Sequence, residues 1–530
     1  MTTPRRACVS LLLLVVLPGC LLCGTAAQFV QFQSVGEAEL LLQIKRAWGN
    51  PPMLTAWSAA TSAAGAHCTW PYVGCDSAGR VTRLNLGSIN NATTGPVPDA
   101  VGGLSSLAHL DISDNNINGT FPTVLYRCRS LQYLDLSRNY IRGELPDDIG
   151  HGLGPNMSML NLRNNEFIGT IPASLSRLRN LQYLMLDINR LIGTIPMQLG
   201  QLTNLETLGL ADNLFDAAQL PASFKNLTNL VSFQVDHCNL VGDFPSYLVK
   251  MPELEELVLS YNSFTGTMPP EIWGLKKLEW LDVSNNNFTG DMVVDGFAAM
   301  SLVMIDVSQN KLTGMIPKVF GHLKNLTYLD LSNNNFSGEI PMSIGRLPSL
   351  VILSLFNNRL TGTLPPELGK HSLDLSDVDI GYNNLTGSIP EWLCSGSQLQ
   401  SLLASSNRLN GSIPIGLAKC GTLLELSLEN NQLSGVVPQA LWTEGKLLMV
   451  FLRNNRLTGS LPVMMSNNLM MLDIGNNNFV GRIPKVALGL MHFNADNNQF
   501  SGEIPPHIGY GMPLLHQLNL ANNKLSGNIG

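Results

Sequence analysis

An α/β repeat solenoid is the fold this sequence predicts, and three observations predict it. The chain of 530 residues carries 48 Gly and 30 Pro, yet it is 45% hydrophobic and only 13% charged. Such a mixture describes many short apolar elements separated by turns, and it excludes a disordered chain. Second, one pattern, Leu-x-Leu-x-x-Asn, returns with little drift from Leu110 onward. Its asparagines fall at Asn115, Asn139, Asn165, Asn189 and Asn213. Cys238 takes the next place, and Asn262, Asn286, Asn310, Asn334, Asn358, Asn383, Asn407, Asn431, Asn455, Asn477, Asn498 and Asn523 follow. Third, those 17 steps cover 408 residues, which is 24 per step. An irregular first copy around Leu84-Asn85-Leu86 makes about nineteen copies.

Each position of this leucine-rich repeat has a physical task. The two leucines flank one outward residue on a short strand, so both enter the same core. The asparagine stands where the chain leaves the strand, and its amide can donate to and accept from backbone groups the turn leaves unpaired. Cys238 can replace it only as a weaker donor. A Gly-x-Ile-Pro follows, as in Gly314-Met315-Ile316-Pro317, where glycine suits a tight turn and proline ends strand pairing. One repeat cannot bury its leucines alone, whereas stacked neighbours form one continuous core. At about 4.8 Å per strand the copies span roughly 85–90 Å of inner sheet.

Residues 1–27 read as a secretory signal peptide: Arg5 and Arg6, an apolar stretch from Val9 to Cys23 broken by Pro18 and Gly19, then Thr25-Ala26-Ala27. No segment reaches the roughly 18–20 uninterrupted apolar residues of a membrane helix. Six cysteines remain after Cys8, Cys20 and Cys23 leave with the leader, in a compartment that permits disulfides. Residues 28–80 read as a cap for the first repeat. Glu37 to Trp48 has helical spacing, and Trp57, Cys68, Trp70 and Cys75 follow. A Cys68–Cys75 disulfide suits that role, because no second Cys or His pair completes a zinc set. Residues 81–530 read as repeats, the last of them incomplete. Cys394 and Cys420 lie about one repeat apart, as a second bridge or as two buried thiols, and Cys128 reads as a buried thiol. Nine sequons (Asn91, Asn118, Asn156, Asn226, Asn287, Asn325, Asn335, Asn384 and Asn410) are glycosylation candidates, several of them automatic products of the template.

Chemistry is hard to find. Net charge is −7, and losing Arg5 and Arg6 makes the remainder more acidic, which leaves no basic surplus for nucleic acid. No His-Glu-x-x-His, P-loop or Gly-x-Ser-x-Gly occurs, and no histidine or cysteine set has metal-ligand spacing. Gly150-His151-Gly152-Leu153-Gly154 is a loop insertion in the longest repeat rather than a dinucleotide loop. The chain is expected to be no enzyme and to need no cofactor or metal. Two groups interrupt a background of small polar residues on the inner strand face. One holds Gln234, Asp236, His237, Glu256, Val258, Tyr261, Trp280 and Asp282. The other holds Phe356, Asp377, Tyr382, Leu403, Glu425, Glu429, Phe451 and Arg453. Aromatics among charges on an exposed sheet suit binding anchors; cross-strand packing is the alternative.

The cap residues Trp57, Cys68, Trp70, Gly74 and Cys75, followed by Leu-x-Gly-x-Ile-Pro repeats, resemble the ectodomain of a plant leucine-rich-repeat receptor kinase. Cys238-Asn239-Leu240-Val241-Gly242, Trp392-Leu393-Cys394 and Ala418-Lys419-Cys420, in that order, resemble the HAESA and HAESA-like peptide-hormone receptors. The resemblance covers residues 28–530. It implies an inner surface that binds a secreted peptide, a co-receptor kinase with a shorter repeat ectodomain, and a plasma-membrane location with a kinase domain beyond. The chain stops at Gly530, one residue short of the expected proline, and is expected to be truncated. On that reading the Leu518–Leu525 segment would present exposed leucines and a strand edge that invite association. A soluble wall protein resembling polygalacturonase inhibitors, or a peptide-binding decoy, are the alternatives. The resemblance also implies an Arg-x-Arg pair gripping the peptide's terminal carboxylate. The matching positions here are Glu425 and Ser427, so the carboxylate is expected to add little.

Overall fold

The computed structural model describes residues 36–527, apart from 60–64, 90–93 and 295. The expected signal peptide and the sequon at Asn91 lie outside the described residues. From Glu37 onward the chain is one compact unit. Among the described residues, a 20-stranded sheet runs through that unit, and every pairing in it is parallel except that between its first two strands. Most strands are three residues long, because one buried leucine between two outward residues is all the template provides. Register is strict: Glu256, Leu257 and Val258 pair with Trp280, Leu281 and Asp282. After each proline the chain usually makes one 3-10 turn, such as Lys318–His322, and returns. The core lies between these turns and the sheet, and Leu257, Leu281, Ile305 and Leu329 are fully buried in it.

The cap begins with the helix Glu37–Ala47, which buries Leu41, Leu42 and Ile44. Glu37 accepts a hydrogen bond from the Val81 N–H at 2.7 Å, tying the helix to the first long strand. Cys68 and Cys75 are joined in a disulfide with Cα atoms 5.5 Å apart. Beside it Trp57 and Trp70 stack at 5.9 Å and are almost wholly buried. The strand Val73–Cys75 runs antiparallel to Val81–Asn85, so the cap covers the end strand of the sheet. Cys394 and Cys420 also form a disulfide, with Cα atoms 5.8 Å apart, while Cys128 and Cys238 are buried thiols. The insertion after Asp148 folds as a helical turn, Ile149–Gly152. Gly150 lies so close to the Ser174 carbonyl that a Cβ there would be 1.8 Å from its oxygen. Packing, not phosphate binding, explains that glycine.

The repeats are joined by their asparagines. Asn310 Nδ2 donates to the carbonyls of Val283, Val307 and Ser308 at 3.0–3.2 Å, and its Oδ1 accepts from the Phe288 N–H at 3.0 Å. Two of those partners belong to its own repeat's turn and two to the preceding repeat. The same set recurs at Asn139, Asn286 and Asn334. Cys238 keeps one element of it: Sγ donates to the Leu210 carbonyl at 3.2 Å, while Asn262 Oδ1 accepts from the N–H of both Cys238 and Leu240. Asn310→Ala would leave the Phe288 N–H unpaired and remove one of two donors from each of the Val283, Val307 and Ser308 carbonyls. It is expected to destabilise the fold by about 1–3 kcal/mol in chemical denaturation. A loss below about 0.5 kcal/mol would show that water replaces the side chain there.

Candidate functional site

The turn that buries each asparagine also determines what stands at the margin of the inner sheet. In every repeat from Ser88 to Asn522 the residue before the asparagine position is left-handed, with φ between 49° and 57°. Only there can the chain turn the asparagine inward and still continue the ladder. The conformation is cheap for Asn and Asp and costs roughly 1 kcal/mol or more for bulky side chains. Asparagine accordingly fills it at Asn164, Asn285, Asn333, Asn357, Asn430 and Asn454. The bulkier exceptions are Arg138, Ile188, His237, Tyr261, Gln309 and Tyr382, of which histidine is the best tolerated. Three of these occur within the four consecutive repeats from Ile188 to Tyr261, with Asp212 between.

The first expected group comes together on this stretch. The His237 and Tyr261 rings stack at 4.0 Å with an interplanar angle of 14°, and Tyr261 remains 52% exposed. His237 Nδ1 lies 3.5 Å from Asp212 and 3.6 Å from Asp236. On the adjoining strands Ser232 Oγ and Gln234 Nε2 donate to Glu256 Oε2 at 2.6 and 2.9 Å. Trp280 pairs across strands with Glu256, and 45% of it is exposed beside Asp282. Val258 is half-buried between Gln234 and Asp282. An exposed tryptophan and a tyrosine in a costly backbone conformation therefore share one rim with fixed carboxylates.

The second group is looser. Phe356 and Tyr382 meet edge to face at 5.3 Å, and Asp377 accepts from the Ser376 hydroxyl. Leu403 and Phe451 are half-buried on their strands. Burial, and then the neighbouring Glu429, raise Glu425 above the usual carboxylate range. Glu429 accepts from Ser427 Oγ at 2.7 Å. Arg453 differs from what its sequence position suggests. Its guanidinium makes two bonds to Asp496, at 2.7 and 3.0 Å, and lies 3.4 Å from Asp473. It neutralises its own sheet instead of presenting a cation.

Sequence reasoning named Asp282 but missed the line of carboxylates it belongs to. Asp282, Asp306 and Asp330 stand in register on three neighbouring strands. Burial pushes Asp306 up to about 7 against the opposing bonds from Ser308, with Asp330 and Asp282 adding repulsion. Asp379, two strands beyond Asp330, rises to about 6, mainly through burial. The available signal was the repeated aspartate after the first strand leucine, a position that reads as ordinary solvent-facing polarity. Asp212, Asp236 and His237 bring three donor atoms within 4.8 Å of one another. Only two of these are oxygens, a third or less of the six to eight that calcium takes. His67, Cys68 and Cys75 also converge, but the disulfide occupies both sulfurs.

A carboxyl raised from 3.8 to about 7 stabilises the folded state most below pH 3.8, and that contribution is lost as pH rises through 7. The melting temperature is therefore expected to fall between pH 5 and pH 8. Asp306→Asn should raise it by a few degrees at pH 8 and change it little at pH 5. Thermal melts of both proteins across this range check the claim; an equal effect at both pH values would refute it.

Comparisons with known proteins agree with this architecture. The leucine rich repeat N-terminal domain matches residues 36–76. Leucine rich repeat models match residues 80–141, 225–288 and 300–360, and a second such model matches 156–178, 374–395 and 422–443. The fold is similar to the crystal structure of the Arabidopsis receptor kinase HAESA in complex with the peptide hormone IDA and the co-receptor SERK1. Sequence identity is 37% and the TM-score 0.86, over 93% of this chain and 83% of that one. Polygalacturonase inhibitor 1 of Oryza sativa subsp. japonica is 36% identical over 76 residues, 14% of this chain and 22% of that protein. MDIS1-interacting receptor like kinase 1 of Arabidopsis thaliana is 32% identical over 97 residues, 18% of this chain and 9% of that protein. The chain thus spans less than a quarter of either curated relative it matches.

Proposed function

This chain belongs to the leucine-rich-repeat ectodomains of plant receptor kinases, and from that premise we propose that it binds a secreted peptide along its inner sheet and recruits a co-receptor. The observation that carries the reading is the placement of His237 and Tyr261 at left-handed positions where asparagine is the cheap residue. Stacking on His237 still leaves Tyr261 52% exposed, next to a tryptophan 45% exposed. Aromatic anchors flanked by hydrogen-bonding groups are what binding hot spots consist of. The similar HAESA structure, a complex with a peptide hormone and a co-receptor, supports a ligand and partner of the same kinds. Residues 1–27 deliver the chain to the secretory route, so that the face meets its ligand outside the cell. Residues 28–80 cap the repeats of 81–530. The disulfides tie the cap and the repeats around Cys394 and Cys420. The likeness to the polygalacturonase inhibitor covers about three repeats' length, which two chains built on one template share without sharing a ligand.

The ligand is held mainly through the group from Gln234 to Asp282. Where a terminal carboxylate would need a cation, this chain offers Glu425, and Arg453 is already engaged with Asp496. Alanine at Tyr261 or Trp280 is expected to weaken peptide binding by about 1–3 kcal/mol. Tyr261→Asn should weaken it similarly without lowering the melting temperature, since asparagine suits the backbone there. A large fall in melting temperature in these variants, with affinity kept, would make both residues packing groups. A peptide ligand should also bind within about twofold as free acid and as C-terminal amide. An amide tenfold weaker, about 1.4 kcal/mol, would reveal a carboxylate clamp elsewhere.

A further inference from the structure

The inner face has a charge asymmetry: its strand aspartates belong to the repeat template, each accepting the N–H two residues on, but over much of the sheet no cation accompanies them. The positions directed away from the core are the outer two residues of each inner strand and the two residues before the repeat asparagine. From Gln182 to Asn430, among the described residues, none of these positions holds lysine or arginine. The cations that bound this stretch are engaged: Arg163 Nε lies 2.8 Å from Asp187, and Arg453 is bound by Asp496 and Asp473. Between them Glu256, Asp282, Asp306, Asp330 and Asp379 face outward without a cationic partner from the sheet. Hydrogen bonds hold some of these carboxylates in place without cancelling their charge. Glu256 accepts from Ser232 and Gln234, Asp282 from the Ser284 N–H at 2.9 Å, and Asp330 from the Ser332 N–H at 2.8 Å.

Resting on the peptide-binding reading above, we infer that the ligand is a basic peptide that lays a lysine or arginine side chain against Trp280, between the Glu256 and Asp282 carboxylates. Strand register brings these groups together, since Glu256 is the cross-strand partner of Trp280 and Asp282 lies two residues along the same face. An exposed indole attracts a cation through its π face, and flanking carboxylates add direct charge pairing. The neighbouring column from Asp282 to Asp330 takes a second basic side chain along an extended peptide. The charge of a bound cation there also opposes the burial and repulsion that push Asp306 up to about 7. A neutral or acidic peptide would leave these groups uncompensated as it displaced their water.

The test uses the full secreted chain and a phage-displayed library of random peptides of about 12 residues at neutral pH. Selected peptides are expected to be rich in lysine and arginine and to weaken as salt is raised. They should lose at least tenfold in affinity on Trp280→Ala, and again on the combined Asp282→Asn, Asp306→Asn and Asp330→Asn variant. Melting temperatures of the variants establish that they fold, and replacing repelling aspartates with asparagine favours this. Neutral or acidic peptides that need Tyr261 and Trp280 but bind the triple variant as well as the parent would overturn the basic-ligand inference and leave the binding face standing. Scrambled peptides of equal composition that bind equally well would show only general attraction, and overturn the seated side chain. Binders indifferent to both aromatic residues, or no binders at all, would overturn this inference together with the reading beneath it.

Discussion

The buried asparagine of each repeat is the interaction on which the rest of the molecule depends. A turn that leaves a parallel strand needs a side chain to pair backbone groups of two successive repeats. At Asn310 a single amide donates to three carbonyls, each shared with a second donor, and accepts from the Phe288 N–H of the preceding repeat. Left unpaired, that buried N–H would cost on the order of 1–3 kcal/mol. The amide therefore allows a core of fully buried leucines to run beneath a surface made almost entirely of turns. Cys238 measures the requirement by contrast: it donates once, and Asn262 takes two N–H groups in compensation.

The same turn creates the functional margin. Aiming the asparagine inward obliges the residue before it to adopt a left-handed backbone and to project at the edge of the sheet. Each repeat thus presents one exposed position whose identity the core does not constrain and whose backbone favours asparagine. Departures from asparagine there stand out as energetically unfavourable choices. Ile188, His237 and Tyr261 fall within four consecutive repeats, beside Trp280 and the aspartate column. Fold and site share one device, because the geometry that seals the core also holds the anchors outward.

Charge divides the inner sheet in a different way. Arg163 and Arg453 close ion pairs with aspartates of their own face, at Asp187 and Asp496. Between these pairs the carboxylates have one another as neighbours. Strands about 4.8 Å apart in strict register leave them little room to separate, and this repulsion adds to the burial that pushes Asp306 up to about 7. Such a surface carries a standing repulsion that a partner of opposite charge removes.

Much of this protein was legible in the sequence. The 24-residue period dictates the number of strands, the leucines of the core and the asparagine ladder, because each follows from contacts made within a repeat or with the next one. The cap disulfide was readable because Cys68 and Cys75 are close in sequence and no metal set competes. Cys394 and Cys420 stayed open between a bridge and two thiols, since 26 residues of separation does not say that neighbouring turns bring their Cα atoms to 5.8 Å. Tyr261 and Trp280 were recognisable as aromatics on an outward register, yet the tyrosine's left-handed backbone was not. Nor was the engagement of Arg453 by Asp496, which stands 43 residues away. The dividing line is physical. A repeat sequence determines whatever recurs between adjacent copies, while charge pairing across several strands, and the burial that moves Asp306, depend on how the stacked copies place side chains at a distance.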